Sequence, residues 1–350
     1  MLDRMIRQSD LFAMLRELAK KSRIVGPVRY RDRFLYEEVA DVDRLDLEFN
    51  YCVYAPRAWL FPPKETLFTF EATNGSFAAR SVYDARPLAL VGVHPCDLHA
   101  IRLLDHVFES DVRDEHYLTR RRSTFLVGID CATPCTNGVF CGDMHTNGID
   151  KGFDVMLYPL GTDSHAHPRY GAVFGTAAGR QWVLYSRRSS VPSVEDERAL
   201  DAYLKEKETA FVPQLKTPVE NIPALLDRSY DSLLWEATAR RCYSCGSCNL
   251  SCPTCYCFNI QDEASIDGQS GKRVREWDGC QLKSFAEVAG GHNFRSRAAS
   301  RLRHRIYRKA KWIQDRTGLA GCVGCARCDR ACAAKINSVE IYNQLTEEEV

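Results

Sequence analysis

Two kinds of hydrophobic pattern follow one another along the first 130 positions. One face of the stretch 8–22 carries apolar residues at helical spacing, namely Leu11, Met14, Leu15 and Leu18. Short, largely apolar runs are typical of strands, and they occur over 66–72, 87–93 and 122–130. Since the first pattern indicates an amphipathic helix and the second indicates strands, this half predicts a mixed α/β domain.

The strand predicted over 87–93 is followed by a turn and another helical pattern. The apolar residues at helical spacing there are Leu98, Ile101, Leu104 and Val107. Asp97, in the first turn, fits a capping role better than a catalytic one. Cys96 and Cys131 each lie just beyond the carboxyl end of a predicted strand. Open α/β sheets place their sites at this edge, so both cysteines are candidate site residues.

The second half has a different character. The charged stretch 191–230 contains four prolines, which predicts a linker region between a domain over 1–190 and a domain over 231–350. Cysteine-rich loops then alternate with helical patterns. The stretch 296–318 is a strongly basic helix candidate that ends at Gly318. Its charges indicate either a solvated face or a face that docks an acidic partner.

Charge and composition narrow the class of protein. Lys and Arg (47) nearly balance Asp and Glu (46), which argues against a nucleic-acid partner. No apolar run approaches the ~18 residues of a membrane span, and the start lacks the apolar core of an export signal. We therefore expect a cytoplasmic protein. In that compartment its 16 cysteines, many in C-x-x-C steps, indicate metal binding rather than disulfides.

Two copies of one cysteine motif carry the strongest signal. The spacing C-x-x-C-x-x-C-x-x-x-C occurs over 242–252 and again over 322–332. This is the run used for 4Fe–4S clusters, and in two-cluster proteins the fourth cysteine of each run ligates the other cluster. We therefore predict cluster A on Cys242, Cys245, Cys248 and Cys332. Cluster B is predicted on Cys322, Cys325, Cys328 and Cys252.

The distance between the motifs predicts the architecture around them. They begin 80 positions apart, and the chain between them is rich in helix formers. Compact ferredoxins bring their repeats much closer together, so we expect an all-helical ferredoxin domain. The predicted fold class is α+β, with a mixed α/β amino-terminal domain followed by this helical domain with two 4Fe–4S clusters.

Other metal sites share parts of the pattern. Cys248, Cys252 and Cys255 have the spacing of a radical S-adenosylmethionine site, but the ferredoxin run already uses the first two. A zinc ribbon needs two C-x-x-C pairs rather than two longer runs. Three cysteines belong to neither motif, and for them both packing beside a cluster and metal ligation stay open. They are Cys255, Cys257 and Cys280.

The amino-terminal domain contains a looser set of cysteines at predicted loop positions. Its members are Cys96, Cys131, Cys135 and Cys141. Four thiolates are enough for a third 4Fe–4S cluster or a structural zinc. The spacing matches no standard run, so unrelated structural cysteines are the remaining alternative. Cys52 stands alone and is expected in the core.

Six stretches resemble one family of iron–sulfur subunits. In chain order they read "VHPCDLHAIRLLDHVF", "YLTRRR", "CPTCYCF", "REWDGCQL", "VAGGHNFR" and "CVGCARCDRAC". The chain resembles the family of the sulfhydrogenase beta subunit, from NAD(P)-linked nickel–iron hydrogenases, which also includes the iron–sulfur subunit of anaerobic sulfite reductase. The resemblance implies a protein that relays electrons between two partners, a diaphorase-type flavoprotein and a catalytic subunit. It also favours a cluster role for Cys96, Cys131 and Cys141.

Two positions depart from the pattern of that family. Val139 stands where relatives often have a cysteine, so either Cys135 compensates or the third cluster is altered. Ala333 follows Cys332 where proline is usual, which leaves the ligand itself intact.

These observations favour an electron-transfer subunit of a cytoplasmic oxidoreductase complex, with no catalytic residues of its own and a nickel–iron hydrogenase as catalytic partner. No dinucleotide-binding or P-loop motif is present, so we expect no bound flavin or nucleotide. The alternatives are the iron–sulfur subunit of an anaerobic sulfite reductase, a self-contained reductase with an open cluster in the amino-terminal domain, and a metal-stabilised interaction module.

Overall fold

Two β-sheets organise the computed structural model of the chain, which describes residues 1–73, 76–163 and 166–348. The strands are β1 (Arg4–Arg7), β2 (Arg23–Tyr30), β3 (Arg33–Val39), β4 (Lys64–Thr73), β5 (Ser76–Ser81), β6 (Leu88–Val93), β7 (Thr124–Ile129), β8 (Val155–Thr162), β9 (Pro168–Phe174), β10 (Phe258–Ala264) and β11 (Ser270–Trp277). The strands predicted over 66–72, 87–93 and 122–130 correspond to β4, β6 and β7.

Helices flank the sheets and make up most of the carboxy-terminal region. They are α1 (Gln8–Ala19), α2 (Pro95–Glu109), α3 (Glu115–Arg122), α4 (Ala177–Tyr185), α5 (Val194–Ala210), α6 (Ile222–Arg228), α7 (Leu234–Ala239), α8 (Ser247–Leu250), α9 (Ala298–Tyr307), α10 (Ile313–Thr317), α11 (Arg327–Arg330) and α12 (Ser338–Glu348). Within the described residues, no helix is long and apolar enough to cross a membrane.

The larger sheet has the order β1-β9-β8-β7-β6-β2-β3. Its central strands β2, β6, β7 and β8 are parallel, and the outer pairings are antiparallel. Every residue of β6 is buried, as expected for a strand covered on both faces. Val91 packs in the apolar core with Leu11 of α1, whereas Leu90 packs with Leu98 of α2. The two predicted amphipathic helices therefore cover opposite faces of the sheet.

The smaller sheet joins the two halves of the chain. Its order is β10-β11-β4-β5, so the hairpin between the cysteine motifs pairs with a strand of the amino-terminal half. On β11, Arg275 lies 2.6 Å from Glu65 of β4, and both side chains are buried. The α+β prediction is confirmed. The hairpin β10–β11 is an addition that the expectation of an all-helical region between the motifs did not contain.

The stretch 191–230, predicted as a linker region, contains α5 and α6. The α5 residues Leu200 and Tyr203 pack with Leu2 and Met5 at the amino terminus. Lys207, also on α5, forms a buried ion pair with Asp130 at 2.6 Å. This part of the chain therefore packs against the larger sheet.

The basic stretch 296–318 is helical, as predicted. Helix α9 continues through a π-helical turn over Arg308–Trp312 into α10. Gly318 ends the helix in a left-handed conformation, with φ of +68°, which glycine adopts without steric cost. Leu302 and Ile306 anchor the helix in a core that also contains Trp235 and Tyr342.

Candidate metal centres

The four cysteines predicted for cluster A line one cavity. Cys242, Cys245 and Cys248 approach it from the first motif, and Cys332 approaches it from the second. Two backbone N–H groups donate to these sulfurs, from Ser244 to Cys242 Sγ and from Ile336 to Cys332 Sγ, both at 3.4 Å. Hydrogen bonds of this kind are typical of iron–sulfur ligands. The structure thus brings together the residues that the crossed pairing of the motifs requires.

Cluster A's cavity lies close to the protein surface. Cys245 is exposed, whereas the other seven cysteines of the two motifs are half-buried or buried. The Ser247 hydroxyl lies 3.3 Å from Cys245 Sγ and lowers the pKa of that thiol. The thiolate is the form that binds metal, so this contact favours ligation.

The four cysteines predicted for cluster B form a buried group behind this cavity. Burial raises the pKa of Cys322 to about 12, and the nearby sulfurs of Cys252 and Cys325 also act to raise it. The same Cys252 sulfur raises the pKa of Cys328, after burial and the opposing charge of Arg305. Thr254 joins the two motifs by donating to Gly321 O at 2.7 Å. Cys252 therefore lies beside the second motif, as the crossed pairing predicts.

The looser amino-terminal set of cysteines also comes together. Cys96 lies in the first turn of α2, directly after β6, and Cys131 follows β7. Because β6 and β7 are adjacent and parallel, both cysteines reach the same edge of the sheet. Burial raises the pKa of Cys141 to about 12, with the sulfur of Cys135 as the next cause. The four sequence-predicted residues therefore share one site, where Cys135 is half-buried.

This amino-terminal set lies directly against the second ferredoxin motif. Cys96 and Cys325 belong to one buried cluster with Ala100 and Val323. Phe140 N donates to Gly324 O at 2.8 Å. At Gly324, with φ of +62°, an added Cβ would lie only 2.4 Å from Cys141 N. The approach of the two cysteine sets therefore depends on a glycine between Cys322 and Cys325.

Buried cations fall into two groups, and the sequence analysis missed the second. The first group pairs with carboxylates and consists of Arg120, Lys207, Arg275 and Arg327. The second forms no ion pair with a carboxylate among the described residues and consists of Arg57, Arg301, Arg305 and Lys309. Every member of the second group contacts residues 244–255 of the first motif.

Three of these unpaired cations lie on α9 and the π-helical turn that follows it. Arg301 Nη2 donates to Ser244 Oγ at 2.8 Å, Arg305 Nη2 to Cys248 O at 3.4 Å and Lys309 Nζ to Thr254 Oγ1 at 2.7 Å. The expectation of a solvated or docking face for the basic helix is therefore wrong at these positions. Their spacing of four residues was the signal that could have revealed an inward basic stripe.

The unpaired cations fit a bound anionic group. Arg305 lines the cavity for cluster A, and its buried Nε has no hydrogen-bond partner among the described residues. A buried charge without a counter-charge is costly, and so is a buried donor without an acceptor. Four thiolates with inorganic sulfide would supply both. Within the described residues, no three His, Cys, Asp or Glu side chains converge tightly enough to hold a single metal ion.

Comparison with known proteins agrees with this arrangement. Residues 241–336 match the family model of a 4Fe-4S dicluster domain. That range contains both cysteine motifs, and the match indicates two 4Fe–4S clusters. The fold and the cysteine sites thus define an iron–sulfur electron-transfer protein.

A relative matches almost the whole chain. Sulfhydrogenase 2 subunit beta from Pyrococcus furiosus is 31% identical over 341 residues, which cover 97% of this chain and 96% of the relative. The chain therefore belongs to the family of the sulfhydrogenase beta subunit, as its resemblance to that family predicted. The match includes the amino-terminal cysteine set as well as the dicluster domain.

Proposed function

We propose that the chain is the electron-relay subunit of a cytoplasmic oxidoreductase complex. In this proposal the complex combines it with a flavoprotein that reacts with NAD(P)H and with a catalytic nickel–iron hydrogenase subunit. Support for the partners comes from the similarity to a protein described as the beta subunit of a sulfhydrogenase. Clusters held by the cysteines would accept and release one electron at a time.

The observation that carries the proposal is the order of the cysteine sets through the molecule. Cys245 of the first motif is exposed, Cys252 and Cys325 are buried behind it, and Cys325 contacts Cys96 of the amino-terminal set. Three adjoining sites would give a path from the surface at Cys245 to the carboxyl edge of the larger sheet. An additional 4Fe–4S cluster on Cys96, Cys131, Cys135 and Cys141 is part of this proposal.

The residues around the sulfurs have definite tasks in such a relay. Arg305 and Lys309 supply positive charge that favours the reduced, more negative state of the clusters. Burial of Cys252 and Cys325 keeps water away from the middle of the path. Exposed Cys245 lets a partner approach the first site closely, where electron exchange with another subunit would occur.

The test is anaerobic affinity purification of the tagged full-length chain from its native cells, followed by identification of bound subunits and their cofactors. We expect to recover a flavoprotein together with a nickel-containing subunit. A sirohaem-containing subunit in place of the nickel subunit would assign the chain to a sulfite reductase instead. Recovery of a chain that binds no redox subunit would contradict the relay proposal.

A second candidate function rests on a cavity of about 470 Å³ beside the amino-terminal cysteine set. Cys131, Cys135, His94 and Asp130 line it, at the carboxyl edge of the larger sheet. A cavity of this size in this position is typical of small-molecule sites. Here the chain itself would reduce a small substrate. Turnover of such a substrate by the isolated chain with an artificial reductant would support this function, and inertness would count against it.

A further inference from the structure

Three cysteines outside the predicted clusters, Cys255, Cys257 and Cys280, are brought to one place by the hairpin of the smaller sheet. Cys257 immediately precedes β10, and Cys280 follows β11 by three positions. Asp278 N donates to Cys257 O at 3.1 Å and holds the two ends of the hairpin together. Cys255 and Cys280 are buried, and Cys257 is half-buried. The hairpin that the sequence analysis missed is thus the element that unites these thiols.

Asn249 links two of the three sulfurs. Its Nδ2 lies 3.7 Å from Cys255 Sγ and 3.5 Å from Cys280 Sγ. Its Oδ1 accepts from Gln281 N at 3.2 Å, which fixes the amide so that its donors face the sulfurs. Two amide N–H groups directed at two sulfurs suit thiolates, which accept hydrogen bonds. Packing of Gly279 against the Asn249 side chain, where a Cβ would lie 2.7 Å from Oδ1, holds the amide in place.

Arg57 supplies positive charge at the same place. Its side chain is 3% exposed and donates to the carbonyl oxygens of Cys255, Asn249 and Leu250. Its guanidinium carbon also lies 3.7 Å from the ring centroid of Trp277, at the end of β11. In the described part of the chain, no carboxylate pairs with Arg57. A buried guanidinium without an anion is unfavourable, and thiolates bound to iron would remove that cost.

Packing alone explains a single thiol better than it explains this group. Cys52 is the comparison, since it is fully buried and its pKa is raised by burial and Asp97 rather than by another sulfur. At the hairpin, by contrast, three sulfurs meet a fixed pair of amide donors and a buried cation. Asn249 is not a fourth ligand, because its Oδ1 already accepts from Gln281 N. A four-iron cluster held here would therefore keep one iron without a protein thiolate.

From this arrangement we propose that Cys255, Cys257 and Cys280 hold an iron–sulfur cluster distinct from the two ferredoxin clusters and from the amino-terminal site. Asn249 positions the Cys255 and Cys280 sulfurs and stabilises their negative charge. The proposal does not depend on the identity of the partner subunits. It places a cluster with an open iron on the side of the first motif that faces the amino-terminal half.

The test compares the anaerobically purified full-length chain with the Cys257→Ala/Cys280→Ala double variant by iron analysis, native mass spectrometry and EPR. The variant is expected to contain about four fewer iron atoms per chain and to lose one EPR component. Cys52→Ala, the matched control, should keep the wild-type iron content. Unchanged iron and spectra in the double variant would overturn the proposal, and so would zinc at this site.

Two further variants keep the outcome independent of folding. Cys257→Ser changes only the half-buried thiol and should cause the same selective loss. Cys131→Ala/Cys141→Ala should remove a different component, which separates this site from the amino-terminal one. Asn249→Leu is expected to keep the iron and to lower the reduction potential of the hairpin cluster, because two N–H···S contacts are lost. A potential unchanged by Asn249→Leu would contradict the positioning role.

Discussion

Asp97 and Arg327 form a buried, bidentate ion pair between the amino-terminal domain and the second ferredoxin motif. The two N–O distances are 2.7 and 2.8 Å, and the side chains are 1% and 2% exposed. Asp97 follows Cys96, and Arg327 precedes Cys328. Arg327 Nε also donates to Cys52 O at 3.0 Å. The pair therefore holds the amino-terminal cysteine set against cluster B's motif, and the role of Asp97 goes beyond helix capping.

Substitution Asp97→Asn should destabilise the protein strongly. It leaves the Arg327 guanidinium buried without a counter-charge, which typically costs about 3–5 kcal/mol of unfolding free energy. Anaerobic chemical unfolding measures this. The control is Asp111→Asn, which breaks the exposed Asp111–Arg316 ion pair and should cost less than about 1 kcal/mol. Equal losses in the two variants would show that the buried pair has no special role.

Crossed ligation of the ferredoxin motifs predicts matching phenotypes. Cys332→Ala should lose the same EPR component as Cys245→Ala, because both cysteines line the cavity for cluster A. Cys252→Ala should instead match Cys325→Ala. Each variant is expected to lose about four iron atoms per chain. If Cys332→Ala matched Cys325→Ala, each motif would hold its own cluster and the crossed assignment would be wrong.

Removal of a buried cation should lower a cluster potential. Arg305→Met deletes the charge in the cavity for cluster A and should shift its midpoint potential downward. A shift of about 60 mV would correspond to a tenfold change in the one-electron equilibrium. Potentiometric titration followed by EPR measures it. Arg303→Met is the control, since Arg303 stacks on Tyr230 on another side of the helix and should leave the potential unchanged.

The buried pair Lys207–Asp130 should matter for the amino-terminal site. Lys207→Met leaves the Asp130 carboxylate uncompensated next to Cys131. We expect a loss of about 3–5 kcal/mol in unfolding free energy and release of iron from the amino-terminal site before the ferredoxin sites. Lys205→Met, at an exposed position of the same helix, should behave like the wild type. Full iron retention with unchanged stability in Lys207→Met would argue against this account.

The sequence predicted what depends on local pattern. Period and spacing identified α1, α2 and β6, and the cysteine motifs brought Cys332 to Cys242 without any structural information. The pairing of Arg275 with Glu65 could not be predicted in this way, because it joins positions 210 apart through a sheet shared by both halves. Inward basic residues such as Arg305 resembled a solvated face, since periodicity alone does not show which side of a charged helix meets a cluster.

The central claim is that this chain holds the clusters of an electron relay. Its most direct test is the iron and acid-labile sulfide content of the anaerobically purified full-length chain, combined with an EPR-monitored redox titration. The account predicts at least about eight iron atoms per chain, in 4Fe–4S clusters that dithionite reduces reversibly. Clearly fewer than eight iron atoms, or zinc in place of iron, would contradict it.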